Sequence, residues 1–290
     1  MLHTIKNDGI SVTVNELGAE ISSIIDAGNE LLWQGDAEWW TGRAPVLFPV
    51  VGKLKGWSYM YDGKQYSLKN HGFARRSKFT LVDKTERMVA FSLCDSAETR
   101  NVYPFEFELI VKYELSGPSV RTGFQVINRS AGDMFFSIGG HPAFNCPLDR
   151  GGVFEDYEII FNEKETAGNH IINGDGLVSD DTTPFLNDTN QISLDYGLFD
   201  KFQTLVFSSL KSTTATLRSR RTGAGVVMDF AGFPYFAVWT IPGAPYVCLE
   251  PWCGVDDSPA STGVLSDKTG IIKLSADSEH NCGFTITPIA

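Results

Sequence analysis

The chain is poor in cysteine, poor in positive charge and without a long apolar run, and each shortage removes a class of function. Its five cysteines (Cys94, Cys146, Cys248, Cys253, Cys282) are odd in number, scattered, and show no zinc-type spacing. They read as small core hydrophobes in a reducing compartment, not as a disulfide framework, and no metal site is expected. Lys and Arg total 24 against 35 Asp and Glu, a formal charge of -11 that argues against nucleic acid or an anionic membrane as the main partner. No apolar stretch is long enough to cross a bilayer as a helix. Met1-Leu2-His3-Thr4-Ile5-Lys6-Asn7-Asp8 lacks the basic start and apolar core of a signal peptide, so a cytoplasmic location is expected. Also missing are a glycine loop opening a helix to cradle phosphate and a Gly-x-Ser-x-Gly elbow for a serine nucleophile. No helical stripe runs beyond a turn or two; Asp36–Trp40 is the best short candidate.

What the chain does have is alternation. Phe105, Phe107, Leu109, Val111, Tyr113 and Leu115 interleave with a row that is polar except for Ile110. After Gly117-Pro118, Val120, Thr122, Phe124 and Val126 interleave with Arg121, Gly123, Gln125 and Ile127. A period of two puts one face on a core and the other in water, and the pair predicts a long antiparallel hairpin. Short β-branched runs recur from Ile10–Val14 to Gly283–Pro288, punctuated by Gly, Pro, Asn and Asp. Residues 162–203, rich in Asn, Asp, Gly and Thr, read as long surface loops holding short elements. The expectation is an all-β protein, a large antiparallel β-sandwich of two twisted sheets forming one domain over residues 1–290. Exposed sheet edges suit a monomer or a homodimer.

Two remote segments share a construction: an ionisable side chain followed at once by proline. They are Gly139-Gly140-His141-Pro142-Ala143-Phe144 and Cys248-Leu249-Glu250-Pro251-Trp252. Proline biases the preceding residue toward extended backbone, and an imidazole with a carboxylate is the equipment of general acid–base chemistry. Of the five histidines, His3, His170 and His280 read as surface residues at a terminus, in a polar loop and in a turn. His71 differs, because Gly72 in Asn70-His71-Gly72-Phe73-Ala74-Arg75 would let a ligand approach the backbone closely. Either His71 or His141 alone reads more often as a hydrogen-bonded structural residue, and spacing does not bring them together with Glu250.

These three segments resemble the motif blocks of the aldose 1-epimerase (galactose mutarotase-like) family, and most of all its LacX-type branch. The likeness runs along nearly the whole chain, from Gly18-Ala19-Glu20-Ile21-Ser22 to the final strands. It implies a β-supersandwich with an open monosaccharide cleft and no cofactor. Matched motif to motif, it implies Glu250 as the base that takes the proton of the C1 hydroxyl and His141 as the acid that protonates the ring oxygen. The nearby Glu250 carboxylate is expected to keep His141 charged. His71 and Arg43 are implied as substrate contacts. Trp239 and Trp252 could face a sugar or simply pack in the core. Arg75 could clamp a phosphate, as arginines do in the related hexose-6-phosphate epimerases, or pair with a sheet carboxylate. A hexose, free or phosphorylated, is therefore the expected partner; a carbohydrate-binding protein without turnover is the rival reading.

Overall fold

The computed structural model describes residues 1–289. The alternating segments form the expected hairpin, Phe107–Ser116 against Ser119–Asn128, with inward side chains buried along both strands. Ser116 pairs with Ser119, leaving a two-residue turn in which Gly117 takes a left-handed φ of 55° ahead of Pro118. This hairpin lies inside a nine-stranded antiparallel sheet. From one edge its order is Val178–Ser193, Tyr157–Ile172, Thr214–Ser219, Gly225–Asp229, Glu279–Ile289, Ser119–Asn128, Phe107–Ser116, Met88–Cys94 and Thr80–Lys84. A second sheet runs Thr204–Ser208, Tyr235–Trp239, Tyr246–Cys253, Ile138–Gly140, Val46–Leu47, with Ala143–Asn145 also pairing to Tyr246–Cys253. Val111 and Phe124 of the first sheet share one buried cluster with Phe236, Ile138 and Leu249 of the second. An all-β sandwich of two large antiparallel sheets is the observed architecture.

Residues 162–203 correct the loop expectation. They carry the longest hairpin of the chain, Tyr157–Ile172 with Val178–Ser193, followed by the helix Tyr196–Phe202. Its register slips four times, and much of the outer strand is solvated, so no apolar alternation marks it in the sequence. Buried polar side chains satisfy backbone groups beside the irregular ladder. Glu165 accepts from Ser212 N–H at 2.8 Å, and Asn169 Oδ1 accepts from Val206 N–H at 2.6 Å. Among the described residues α-helix is confined to Ala97–Arg100 and Tyr196–Phe202, N-capped by Ser96 and Asp195. Asp36–Trp40 closes only a turn, with Trp39 and Trp40 N–H donating to the Asp36 carbonyl.

The three histidines read as surface residues are each held in strands. His3 is buried in Leu2–Lys6 against Glu16 at 3.0 Å, and His170 in Tyr157–Ile172 meets the Ser179 carbonyl and the Ser208 hydroxyl. His280 belongs to Glu279–Ile289, not to a turn.

The strand Tyr246–Cys253 positions the site. Every residue in it is buried, as befits a central strand covered on both faces. Val247, Leu249 and Cys253 turn toward the cluster between the sheets, while Tyr246, Cys248, Glu250 and Trp252 turn to the opposite face.

Candidate active site

The two proline-marked segments are cross-strand partners. Gly139 pairs with Trp252 and Ala143 pairs with Cys248, in one register interrupted only at residues 140 to 142. Continuing that register across the gap sets His141 opposite Glu250. Pro142 has no N–H to give, yet its carbonyl accepts from Leu249 N–H at 3.1 Å, while His141 N–H turns away to the Pro45 carbonyl. The paired glycines serve packing: a Cβ on Gly139 would lie 2.8 Å from the Trp252 ring, and one on Gly140 would lie 2.5 Å from Phe284.

His141 Nε2 and Glu250 Oε2 stand 3.1 Å apart. Their alignment is not that of a hydrogen bond, and Glu250 Oε2 and His141 Nδ1 are both buried with no hydrogen-bond partner. Buried polar atoms without a partner are costly, and these two are placed to meet a polar ligand. Burial pulls the His141 imidazole down to about 3, with the Arg75 guanidinium adding to the effect. Burial pushes the Glu250 carboxyl well above its ordinary value, helped by nearby Asp256. The expectation that Glu250 would keep His141 charged is therefore corrected. Desolvation penalises both charges, so burial favours the neutral pair, with the proton on the carboxyl.

His71 reaches the same cavity from another direction. Its Nδ1 accepts the Gly52 N–H at 3.0 Å, so the neutral ring carries its proton on Nε2. Burial, then the neighbouring His141, holds it well below its ordinary value; the two rings meet edge to face, 5.6 Å apart. The structure reassigns Gly72. Its φ is 65°, and a Cβ there would lie 2.3 Å from the Phe48 carbonyl oxygen, so the close approach is by the protein's own backbone rather than by a ligand.

These groups line a cavity of about 410 Å³, within the range of small-ligand pockets. Trp239 forms part of its wall, edge-on to His141 at 5.6 Å. Arg75, on the short 3₁₀ turn Ala74–Arg76, also faces it. Its Nε is buried without a partner, and burial lowers the guanidinium to about 10, leaving it charged at neutral pH. Among the described residues no carboxylate lies within ion-pairing distance of Arg75. Arg43 is placed elsewhere. Its guanidinium donates to the Gln34 carbonyl at 2.9 Å, and its backbone and that of Ala44 donate to half-buried Glu20; it does not line the cavity.

Five wall residues went unassigned in the sequence: Trp40, Asn70, Thr204, Ile241 and Asp256. Trp40 stacks on His141, with centroids 4.9 Å apart and planes at 28°. Asn70 presents a buried, unpartnered Oδ1. Asp256 accepts from Lys53 N–H at 2.6 Å, and the adjacent Asp257 is fixed by a buried ion pair with Lys268 at 3.0 Å. Asn70 sits in a segment already singled out. Trp40 and Asp256 carry no local signal, because only the folding of separate loops brings them to the cleft.

The geometry suits proton transfer at two points of one small polar molecule, with aromatic walls for its apolar faces. Comparison with known proteins agrees. Residues 1–260 match the family model described as aldose 1-epimerase. The plasmid-encoded protein LacX of Lactococcus lactis subsp. lactis is 39% identical over 280 residues, covering 93% of each chain. A galactose mutarotase related enzyme from Lactobacillus acidophilus superposes with a TM-score of 0.95 at 35% identity, over 100% of this chain and 98% of that one. A galactose mutarotase-like protein from Lactobacillus casei ATCC 334 gives 0.94 at 28% identity, over 100% of both chains.

Proposed function

The chain belongs to the aldose 1-epimerase family, and from that premise we propose that it interconverts the α and β anomers of a hexose without a cofactor, as one sugar-binding catalytic domain. Glu250 takes the proton of the C1 hydroxyl while His141 gives one to the ring oxygen. The bond between C1 and the ring oxygen breaks as the C1 carbonyl forms. Rotation about the C1–C2 bond turns the other face of the aldehyde to the ring hydroxyl. On reclosure that hydroxyl returns its proton to His141, and Glu250 returns one to the new C1 oxygen.

The proton count gives this scheme a physical logic. Ring opening consumes the ion pair and leaves neutral His141 with a protonated Glu250, the same distribution that burial favours. Burial thus leans toward the ring-opened complement, and the hydroxyl dipoles of a bound pyranose must restore the charged form. His141 Nε2 and Glu250 Oε2, 3.1 Å apart, are close enough to face one small substrate together. This contact, with both side chains otherwise unpartnered, is the observation that carries the proposal. His71 Nε2–H is proposed to hold a ring or anomeric oxygen, and Trp239 to pack on the sugar's C–H face.

Arg75 favours a second reading within the same chemistry, a hexose 6-phosphate as substrate. Its buried, unpartnered Nε and free charge suit a phosphate. The test is the rate of anomer exchange on glucose, galactose and their 6-phosphates. A phosphate preference abolished by Arg75→Ala supports the phosphorylated substrate; equal rates insensitive to that change support the free sugar. Sugar binding with no exchange on any of the four would instead favour a binding protein.

A further inference from the structure

Behind the strand that carries Glu250, on its other face, three metal-ligating side chains meet. Cys253 ends Tyr246–Cys253 with parity opposite to Glu250, so its thiol enters the space between the sheets while the carboxylate enters the cleft. His280 and Cys282 stand two residues apart on Glu279–Ile289, opposite Val126 and Phe124, and so share one face of the nine-stranded sheet. One ligand atom from each, two sulfurs and an imidazole nitrogen, all lie within 4.8 Å of one another. His280 Nε2 is buried with no hydrogen-bond partner, and its ring is held edge-on to Phe136 with centroids 5.7 Å apart. The absence of a zinc-type spacing in the sequence is thus overridden in space: two distant strands supply the set.

We propose that Cys253, His280 and Cys282 form a binding site for one thiophilic cation, Zn²⁺ by ligand chemistry, with its fourth position open to solvent. Two thiolates and an imidazole are the donors zinc prefers. Zn–S bonds of about 2.3 Å and Zn–N bonds of about 2.0 Å at tetrahedral angles set the donors roughly 3.5–4 Å apart. Donors already within 4.8 Å need only small side-chain rotations to reach that arrangement. The thiolate is the ligating form. His280 and Cys282 are half-exposed, so the donors are not sealed from solvent. A bound cation would clip the end of the catalytic strand to the opposite sheet, making stability depend on metal concentration.

The test is titration of the reduced chain with Co²⁺, in a Cys94→Ser background that removes the exposed thiol. One equivalent should produce a thiolate-to-metal charge-transfer band that Zn²⁺ abolishes by displacement, and Zn²⁺ should raise the melting temperature. Cys282→Ser and His280→Ala occupy half-exposed positions, so these variants stay folded where a change at buried Cys253 risks collapse. Each should weaken binding by at least about 10-fold, a loss that even outer-shell partners of a metal commonly produce. The other grouping at ligand distance, His141, Cys248 and Glu250, offers one thiol that burial keeps protonated, so Glu250→Gln should leave the titration unchanged. No charge-transfer band, a band retained in both variants, or a Cys253–Cys282 disulfide forming despite saturating Zn²⁺ would overturn the proposal.

Discussion

His141 carries an electrostatic cost that a denaturation experiment can read without any substrate. Burial pulls its imidazole down to about 3, whereas in the unfolded chain it titrates near its ordinary 6.5. Below 6.5 the unfolded state binds a proton that the folded state refuses. The stability linked to this side chain is thus fully present above 6.5 and lost as pH falls toward about 3. Each pH unit in that window is worth about 1.4 kcal/mol, so a shift from neutrality to about pH 5 removes about 2 kcal/mol through this one residue. His141→Asn keeps a polar side chain but cannot titrate. Urea unfolding of both proteins at a series of pH values should show the stability difference moving by about 2 kcal/mol in the variant's favour between about pH 7.5 and about pH 5. His71 is lowered chiefly by burial, which both proteins keep, so that part of its contribution cancels. A difference that stays constant with pH would refute the claim that the folded cleft holds His141 neutral.

Glu250 should show the mirror-image behaviour. Its folded value is raised by burial, so Glu250→Gln should match wild type below about 4.5 and become increasingly the more stable protein as pH rises, in thermal melts of the sugar-free chain. A variant less stable than wild type throughout would contradict the assignment. Gly72→Ala should cost about 1–3 kcal/mol from left-handed strain alone. Contact with the Phe48 carbonyl, 2.3 Å from the added Cβ, should add to that loss; wild-type stability in chemical denaturation would show that backbone approach to be dispensable.

The legible parts of this fold were those where one physical period dominates. The Phe107–Ser116 and Ser119–Asn128 hairpin could be read almost to the residue, because one face meets the core and the other meets water. The hairpin at Tyr157–Ile172 and Val178–Ser193 could not, since bulged register and buried Glu165 and Asn169 replace apolar alternation with long-range hydrogen bonds. At the site, the motif residues His71, Arg75, His141, Trp239 and Glu250 do line one cavity. Arg43 does not, because Gln34 engages its guanidinium. Protonation was the least accessible property. Proximity of a carboxylate argued for a charged His141, and only the depth of burial reverses that sign.

The most direct test concerns whether His141 and Glu250 act as one unit. Anomer exchange at equilibrium can be followed by NMR magnetisation transfer on Glu250→Gln, His141→Asn and the double variant. Each single change should slow exchange by at least about 10²-fold and the double variant should be hardly slower than either, as for groups that work as a pair. Near-wild-type exchange in either folded single variant, or losses that multiply in the double variant, would contradict this.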